Sequence, residues 1–371
     1  MLKEPSKKYT LAERFKTAKT AIICTKKYLE HNPGRGHPES PRRLKVIMEE
    51  LKRSGLLETE KCSVVEPEPA SIENLKLVHE SDYIQLVKRC CALGGGVLDL
   101  GDTVVSSESY NVALLAAGGA IKAVNLVMAG KFQNAFALVR PPGHHAGPYY
   151  ALGFCLFNNI AMAATHLLHD FKLSRILILD LDAHHGNGTQ EIFYNTDKVL
   201  YMSLHQDPTE FPGTGFVDEA GEGEGLGYTL NVPFPFRIDD QIYLKAFNQI
   251  IIPIIHQYKP QFILVSAGFD GHYADTVANL SLSTFVYLEA FLKALKLASQ
   301  FCTKKLVAVL EGGYNLKFLG KIATAVIAKM TGVPYSVEDK RPVAHPNVKR
   351  RAEKILEEVK SVQSLFWDLP S

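Results

Sequence analysis

Seven short apolar runs, rich in β-branched residues, recur along the 371-residue chain: 21–24, 136–139, 176–182, 199–205, 228–232, 262–267 and 306–310. Several are apolar almost without interruption, as a strand must be when both of its faces are covered. Amphipathic stretches predict helices over 41–54, 81–92, 109–129, 158–169, 239–258, 283–300 and 347–362. A helix falls between most consecutive strands, and that alternation predicts an α/β fold on a parallel sheet with helices on both faces. No internal repeat, low-complexity linker or composition break interrupts it. The expectation is one domain over 1–371, with a motif-bearing core over about 20–335 and a charged C-terminal helix over about 347–363 packed on its edge.

Glycine and proline gather just after the strands, in "RPPGHHAG", "HHGNG", "HQDPTEFPGTG", "GFDGH" and "EGGYN". Open parallel sheets bind ligands beyond the carboxyl ends of their strands, so these five loops are expected at one rim. The densest chemistry is in "DLDAHHGNG". Asp180, Asp182 and His184 are spaced i, i+2, i+4 and would project to one side of an extended strand. Two carboxylates and an imidazole there need a cation or a closed set of hydrogen bonds. Asp270, at the end of another strand in "SAGFDGH", favours the cation. Catalytic zinc takes three protein ligands and leaves a position open, and Asp182, His184 and Asp270 would supply them. Iron(II) also suits so oxygen-rich a set, and Asp180 is placed behind the ligands. A histidine beside an ion-activated water is a natural general base, which draws attention to His144 and His145. Tyr314 offers a phenol donor beside two glycines that let the backbone approach closely. Phe154 and Phe211 could wall an apolar slot.

Other features narrow the field. A formal charge of +2 gives no electrostatic bias towards nucleic acid or anionic lipid, and neither is expected as a partner. The apolar run "IIIPIIH" is too short to span a bilayer. The N-terminal "MLKEPSKKYTLAERFKTAK" is basic without an apolar h-region and does not read as a secretory signal. Cys24, Cys62, Cys90, Cys91, Cys155 and Cys302 lack CxxC spacing and read as reduced thiols of a cytoplasmic protein. "GEGEGLG" lacks the Lys-Ser/Thr of a phosphate-binding loop.

The segments "GRGHPESPRRL", "RPPGHHAGPYYALGFCLFNN", "ILILDLDAHHGNGTQEIF", "MSLHQDPTEFPGTG", "LVSAGFDGH" and "LEGGYNL" together resemble the zinc-dependent histone deacetylase family. The resemblance is to the group that includes bacterial and archaeal acetylpolyamine amidohydrolases and acetoin-utilisation proteins. It implies a three-layer arginase/deacetylase-type fold, metal ligation by Asp182, His184 and Asp270, His145 as general base with His144 as its electrostatic partner, and Tyr314 polarising the substrate carbonyl. Gly153, Phe154, Phe211 and Gly313 would line an acyl-lysine tunnel. A structural potassium would sit near Asp180, Asp182, His184, Ser203 and Leu204, and Arg43 would lie near an internal cavity behind the metal. The implied reaction is hydrolysis of an acylated lysine or small amine through a tetrahedral intermediate. An acetylpolyamine amidohydrolase and a catalytically silent acyl-ligand or partner-binding module are the alternatives.

Three positions refine the expectation. Asn187 stands where many relatives carry Asp, so His145 is expected to be mostly neutral near pH 7. Gly186 replaces the last carboxylate of the D-x-H-x-D that holds a second metal in arginases, which argues against a two-metal ureohydrolase. Val277 stands near the place of an acidic gatekeeper in polyamine-selective relatives, which favours a lysine or less cationic substrate.

Overall fold

Among the described residues ten strands form, and eight of them make one sheet. In chain order they are β1 Thr20–Ile23, β2 Cys62–Val65, β3 Gly95–Val97, β4 Val104–Ser106, β5 Asn134–Ala137, β6 Ile176–Asp180, β7 Val199–Gln206, β8 Thr229–Phe234, β9 Phe262–Ala267 and β10 Leu306–Leu310. The structure is a computed structural model and describes residues 20–99 and 101–370, so the basic stretch considered above as a signal lies outside the described residues. The large sheet runs β2-β1-β5-β10-β9-β6-β7-β8, with every pairing parallel; β3 and β4 form a separate antiparallel hairpin.

Every residue of β1 and of β5 to β10 is buried, which requires cover on both faces. One group of helices, Ser109–Met128 and Asn159–His169, packs together and onto the sheet. A second group, Arg42–Arg53, Leu316–Thr331, Thr284–Phe301 and Asp240–Ala246, supplies the other outer layer. This is the three-layer arrangement expected. Ser109–Met128 is long and apolar enough to cross a membrane by length and composition, but 61% of its apolar window is buried inside this fold, where it serves as a core helix.

The sheet order does the functional work. Strands β5, β10, β9, β6 and β7 are consecutive neighbours, so the five loops singled out in the sequence leave adjacent strand ends on one rim.

Several elements differ from expectation. The strand predicted over 176–182 stops at Asp180, where its pairing with Ser203 and Ser266 ends. Asp182 and His184 are therefore carried by a turn, and strand alternation does not place them. The helix predicted over 239–258 is divided into Asp240–Ala246, a π-helical turn Phe247–Ile251 and Ile252–Tyr258. Pro253 has no N–H to continue the ladder, and the widened turn before it absorbs the misfit. Leu316–Thr331 was not predicted, although Asn315 caps it through Lys317 N and Phe318 N and Gly332 ends it at φ +72°. Edge strand β2 and the hairpin were also missed; β3 is largely glycine, and the outer face of β2 is partly exposed. The C-terminal helix, Pro346–Gln363, packs on β8 as expected. Beyond it Trp367 Nε1 donates to Gly227 O at 2.9 Å.

Candidate metal centre

The turn after β6 brings Asp182 and His184 against Asp270 from the loop after β9. His184 Nδ1 lies 3.3 Å from Asp182 Oδ1 and 2.9 Å from Asp270 Oδ2. Ligand atoms about 2.0–2.2 Å from one tetrahedral ion would be separated by roughly 3.3 Å, so the three atoms fit a shared centre. The remaining oxygens are held by backbone donors: Gly312 N reaches Asp182 Oδ2 at 2.8 Å and Ala183 N reaches Asp270 Oδ1 at 2.9 Å. Such bonds aim each carboxylate; Asp182 Oδ1 also accepts His184 N at 2.9 Å and keeps a lone pair for a ligand. The close approach depends on glycine. A Cβ at Gly268 would fall 2.0 Å from Asp182 Oδ2, and one at Gly312 would fall 2.5 Å from it. Burial, followed by the adjacent Asp182 charge, pushes the Asp270 carboxyl up to about 6. Two buried carboxylates this close call for a cation between them.

Among the described residues a second group, His144, Cys155 and Glu311, also lies within metal-binding distance. It is the poorer donor set. His144 Nδ1 is already bonded to Asp180 Oδ2 at 3.1 Å, and burial pushes the Cys155 thiol well up so that it keeps its proton.

His144 and His145 follow β5, their rings tilted by 47° with centroids 4.0 Å apart. Their environments push them in opposite directions. Burial lowers His144, but the carboxylates of Asp180 and Asp182 outweigh it and hold it up to about 10. His145 is driven well below its ordinary value by burial first, then by His144 and His184. The direction is the one expected at His145, but its first cause is desolvation, and the bond to Asn187 acts against it. His145 Nδ1 meets Asn187 Oδ1 at 2.8 Å, and its ring faces His184 and Phe211 at 6.2 and 4.9 Å.

Tyr314 stands two residues beyond Gly312. Its N–H and that of Asn315 donate to Asp275 Oδ2 at 2.7 and 2.8 Å. Burial holds its phenol proton well above the usual range, with the Arg43 cation pulling the other way. Its ring lies under the Arg43 guanidinium at 4.9 Å and against Phe154 at 5.7 Å. Gly153 and Phe154 both take left-handed backbone, φ +54° and +70°. The strained Phe154 is held by its N–H to Thr103 Oγ1 at 3.0 Å. A Cβ at Gly153 would come within 2.6 Å of His145 and 2.9 Å of Phe211. Gly313 takes φ +116°, which a larger residue would resist. Of the potassium set, Asp180 pairs with Ser203 across β6 and β7, with Leu204 next along β7. Gly186 leaves no room for a second-metal carboxylate, since a Cβ there would lie 2.4 Å from Asp180 Oδ2.

Sequence reasoning missed the groups that brace the site. Glu39 ties Arg43, Arg140 and His31 into a buried network. Glu311, pushed up to about 7 by burial, receives Gly143 N and His144 N at 2.7 and 3.1 Å. Tyr201 Oη donates to Asp180 Oδ2 at 3.1 Å. Arg140 and Glu311 lie inside the quoted motifs, but their partners are more than a hundred residues away and leave no local signal.

Residues 37–330 match the histone deacetylase domain family. A probable deacetylase of Archaeoglobus fulgidus is 41% identical over 94% of this chain and 98% of its own length. A histone deacetylase-like amidohydrolase of Pseudomonas aeruginosa is 38% identical over 82% of this chain and 79% of its own. The crystal structure of the HDA15 HD domain superposes with a TM-score of 0.84 at 34% identity, covering 95% of this chain and 96% of that one.

Proposed function

The chain belongs to the histone deacetylase family, and from that premise we propose that it removes acyl groups from acyl-lysine or a related acylated amine with the help of a bound divalent ion. The observation that carries this reading is the convergence on one rim of the Asp182–His184–Asp270 trio, the paired histidines and the Tyr314 loop. An ion held by the trio, zinc or iron(II), supplies Lewis acidity towards the amide oxygen and makes water acidic enough to attack near pH 7. The side chains do the rest. His145 takes the proton of the attacking water, through the nitrogen that faces away from Asn187. Protonated His144 is the electrostatic partner of His145, and the Tyr314 hydroxyl donates to the developing oxyanion. A histidine then returns a proton to the leaving amine. Gly153, Phe154, Phe211 and Gly313 line the acyl slot and exclude water. A potassium near Asp180, Ser203 and Leu204 would brace the ligand turn.

Lysine is favoured over polyamine. Asp275, two residues before Val277, has both oxygens engaged: Oδ1 accepts Val277 N at 3.0 Å and Oδ2 accepts Tyr314 N and Asn315 N. These bonds commit it to bracing the Tyr314 loop, and Val277 itself carries no charge to select a second ammonium group. The same reading takes residues 1–371 as one catalytic domain in the cytoplasm, with an acylated lysine peptide, protein or small amine as its partner. Six free thiols suit that compartment.

A panel of acylated substrates tests the proposal. The expected result is turnover of a fluorogenic acetyl-lysine peptide with kcat/KM at least tenfold above that for an N-acetylated polyamine. The reverse order would assign an acetylpolyamine amidohydrolase. Bound metal with no turnover at any acyl length would leave only an acyl-ligand binding module.

A further inference from the structure

A hydrogen-bonded chain runs outward from His145 and ends on a carboxylate. Asn187 Oδ1 meets His145 Nδ1 at 2.8 Å, and Asn187 Nδ2 donates to Tyr150 Oη at 3.0 Å. Tyr150 Oη donates to Glu191 Oε2 at 2.7 Å. Asn187 and Glu191 are one turn apart on the Asn187–Phe193 helix and so share a face. Tyr150 comes from the same loop as His145, and Gly147 makes room for its ring, since a Cβ there would fall 2.4 Å from Tyr150 Cε1. The outer end borders a cavity of about 570 Å³ lined by Tyr150, Asn187, Glu191 and neighbours.

The donor and acceptor roles in this chain are forced from its outer end. A carboxylate can only accept. The single phenol proton therefore goes to Glu191, and Tyr150 Oη must accept in turn. The amide nitrogen of Asn187 supplies that bond, with a longer one of 3.4 Å to His145 O, which turns Oδ1 towards His145. That oxygen can only accept, so the His145 proton resides on Nδ1 and Nε2 is left with its lone pair. An aspartate at 187 would accept whichever way it turned. An asparagine can turn over, present N–H to Nδ1 and select the wrong tautomer. We propose that Tyr150 and Glu191 are positioning residues that lock the Asn187 amide and thereby hold His145 in the tautomer a general base needs. The role rests on the assignment of His145 as base made above.

The test uses Tyr150→Phe and two variants at the outer end, in the full chain as purified. Tyr150→Phe is expected to lower kcat by about 10- to 100-fold with KM within about twofold, the range seen when partners behind an active group are removed. The 15N imidazole shifts of His145, measured without substrate, should show the Nδ1–H tautomer in the parent and a mixture in Tyr150→Phe. Glu191→Lys reverses the polarity of the outer end and should impair kcat more than Glu191→Ala. An Nε2–H tautomer in the parent would overturn the proposal, as would unchanged shifts and kcat in Tyr150→Phe, or equal effects of the two Glu191 variants. The tautomer measurement needs no turnover. A parent protein inactive on every acyl substrate would defeat the proposed function and leave this readout intact, whereas an active enzyme with unaltered shifts would defeat only the positioning role.

Discussion

Replacing His145 by alanine is expected to cut kcat/KM for an acetyl-lysine reporter by about 10²- to 10⁴-fold, the range that a positioned general base contributes, while leaving the bound metal in place. The expectation follows from its surroundings. The ring is buried, stripped of its ordinary proton affinity by desolvation and by two neighbouring imidazoles, and bonded through Nδ1 to Asn187. On the proposed reading it faces the Asp182–His184–Asp270 trio as a proton acceptor. His144 cannot take its place, because Asp180 and Asp182 keep it protonated once the cost of burial is met. The pair matches a general rule, in which adjacent titratable groups with affinities pushed apart divide the acid and base roles between them. The check is steady-state kinetics with metal content measured on the same preparation. Full activity in His145→Ala would remove His145 from the reaction.

Glu39→Gln is expected to destabilise the fold by about 3–5 kcal/mol, the cost of leaving a buried ion partner uncompensated. Glu39 is fully buried, and so are Arg43 and Arg140. Its Oε1 accepts Arg140 Nε at 2.6 Å and Arg43 Nη1 at 3.3 Å, and its Oε2 accepts Arg140 Nη2 at 2.9 Å. The other guanidinium donors reach only neutral carbonyls, at Tyr28, Gly313 and Glu311. One carboxylate thus offsets two interior cations. Its removal should also slacken Arg43, which donates to Gly313 O at 2.7 Å and lies over Tyr314. Urea denaturation measures the loss, and Glu68→Gln is the contrast, since Glu68 is itself exposed where it pairs with Lys122 and the midpoint should stay where it is. A Glu39→Gln protein as stable as its parent would show that the two arginines are held by something other than this carboxylate.

The sheet and the rim were legible because burial leaves a local mark. Strands buried on both faces read as unbroken apolar runs, and the loops that follow them gather glycine and ionisable residues. Residue chemistry points to the trio, whereas strand alternation does not place it: the chain leaves the strand at Asp180 and turns, so Asp182 and His184 converge on Asp270 through backbone bonds from Gly312 and Ala183. Asp275, Glu39, Glu311 and Tyr150 were invisible for a common reason. Each acts through at least one partner brought near by folding, Arg140 for Glu39 and Glu191 for Tyr150, and such a pair leaves no periodicity to read. Helix Leu316–Thr331 is a different case, since Asn315 and Gly332 do mark both of its ends in the sequence.

The most direct test is an anomalous difference map of the crystallised protein, recorded at the absorption edge of whichever metal accompanies it through purification. One peak is expected, about 2 Å from a carboxylate oxygen of Asp182, from His184 Nδ1 and from a carboxylate oxygen of Asp270. A peak among His144, Cys155 and Glu311 instead, or those three ligands packed against one another around no ion, would contradict the account.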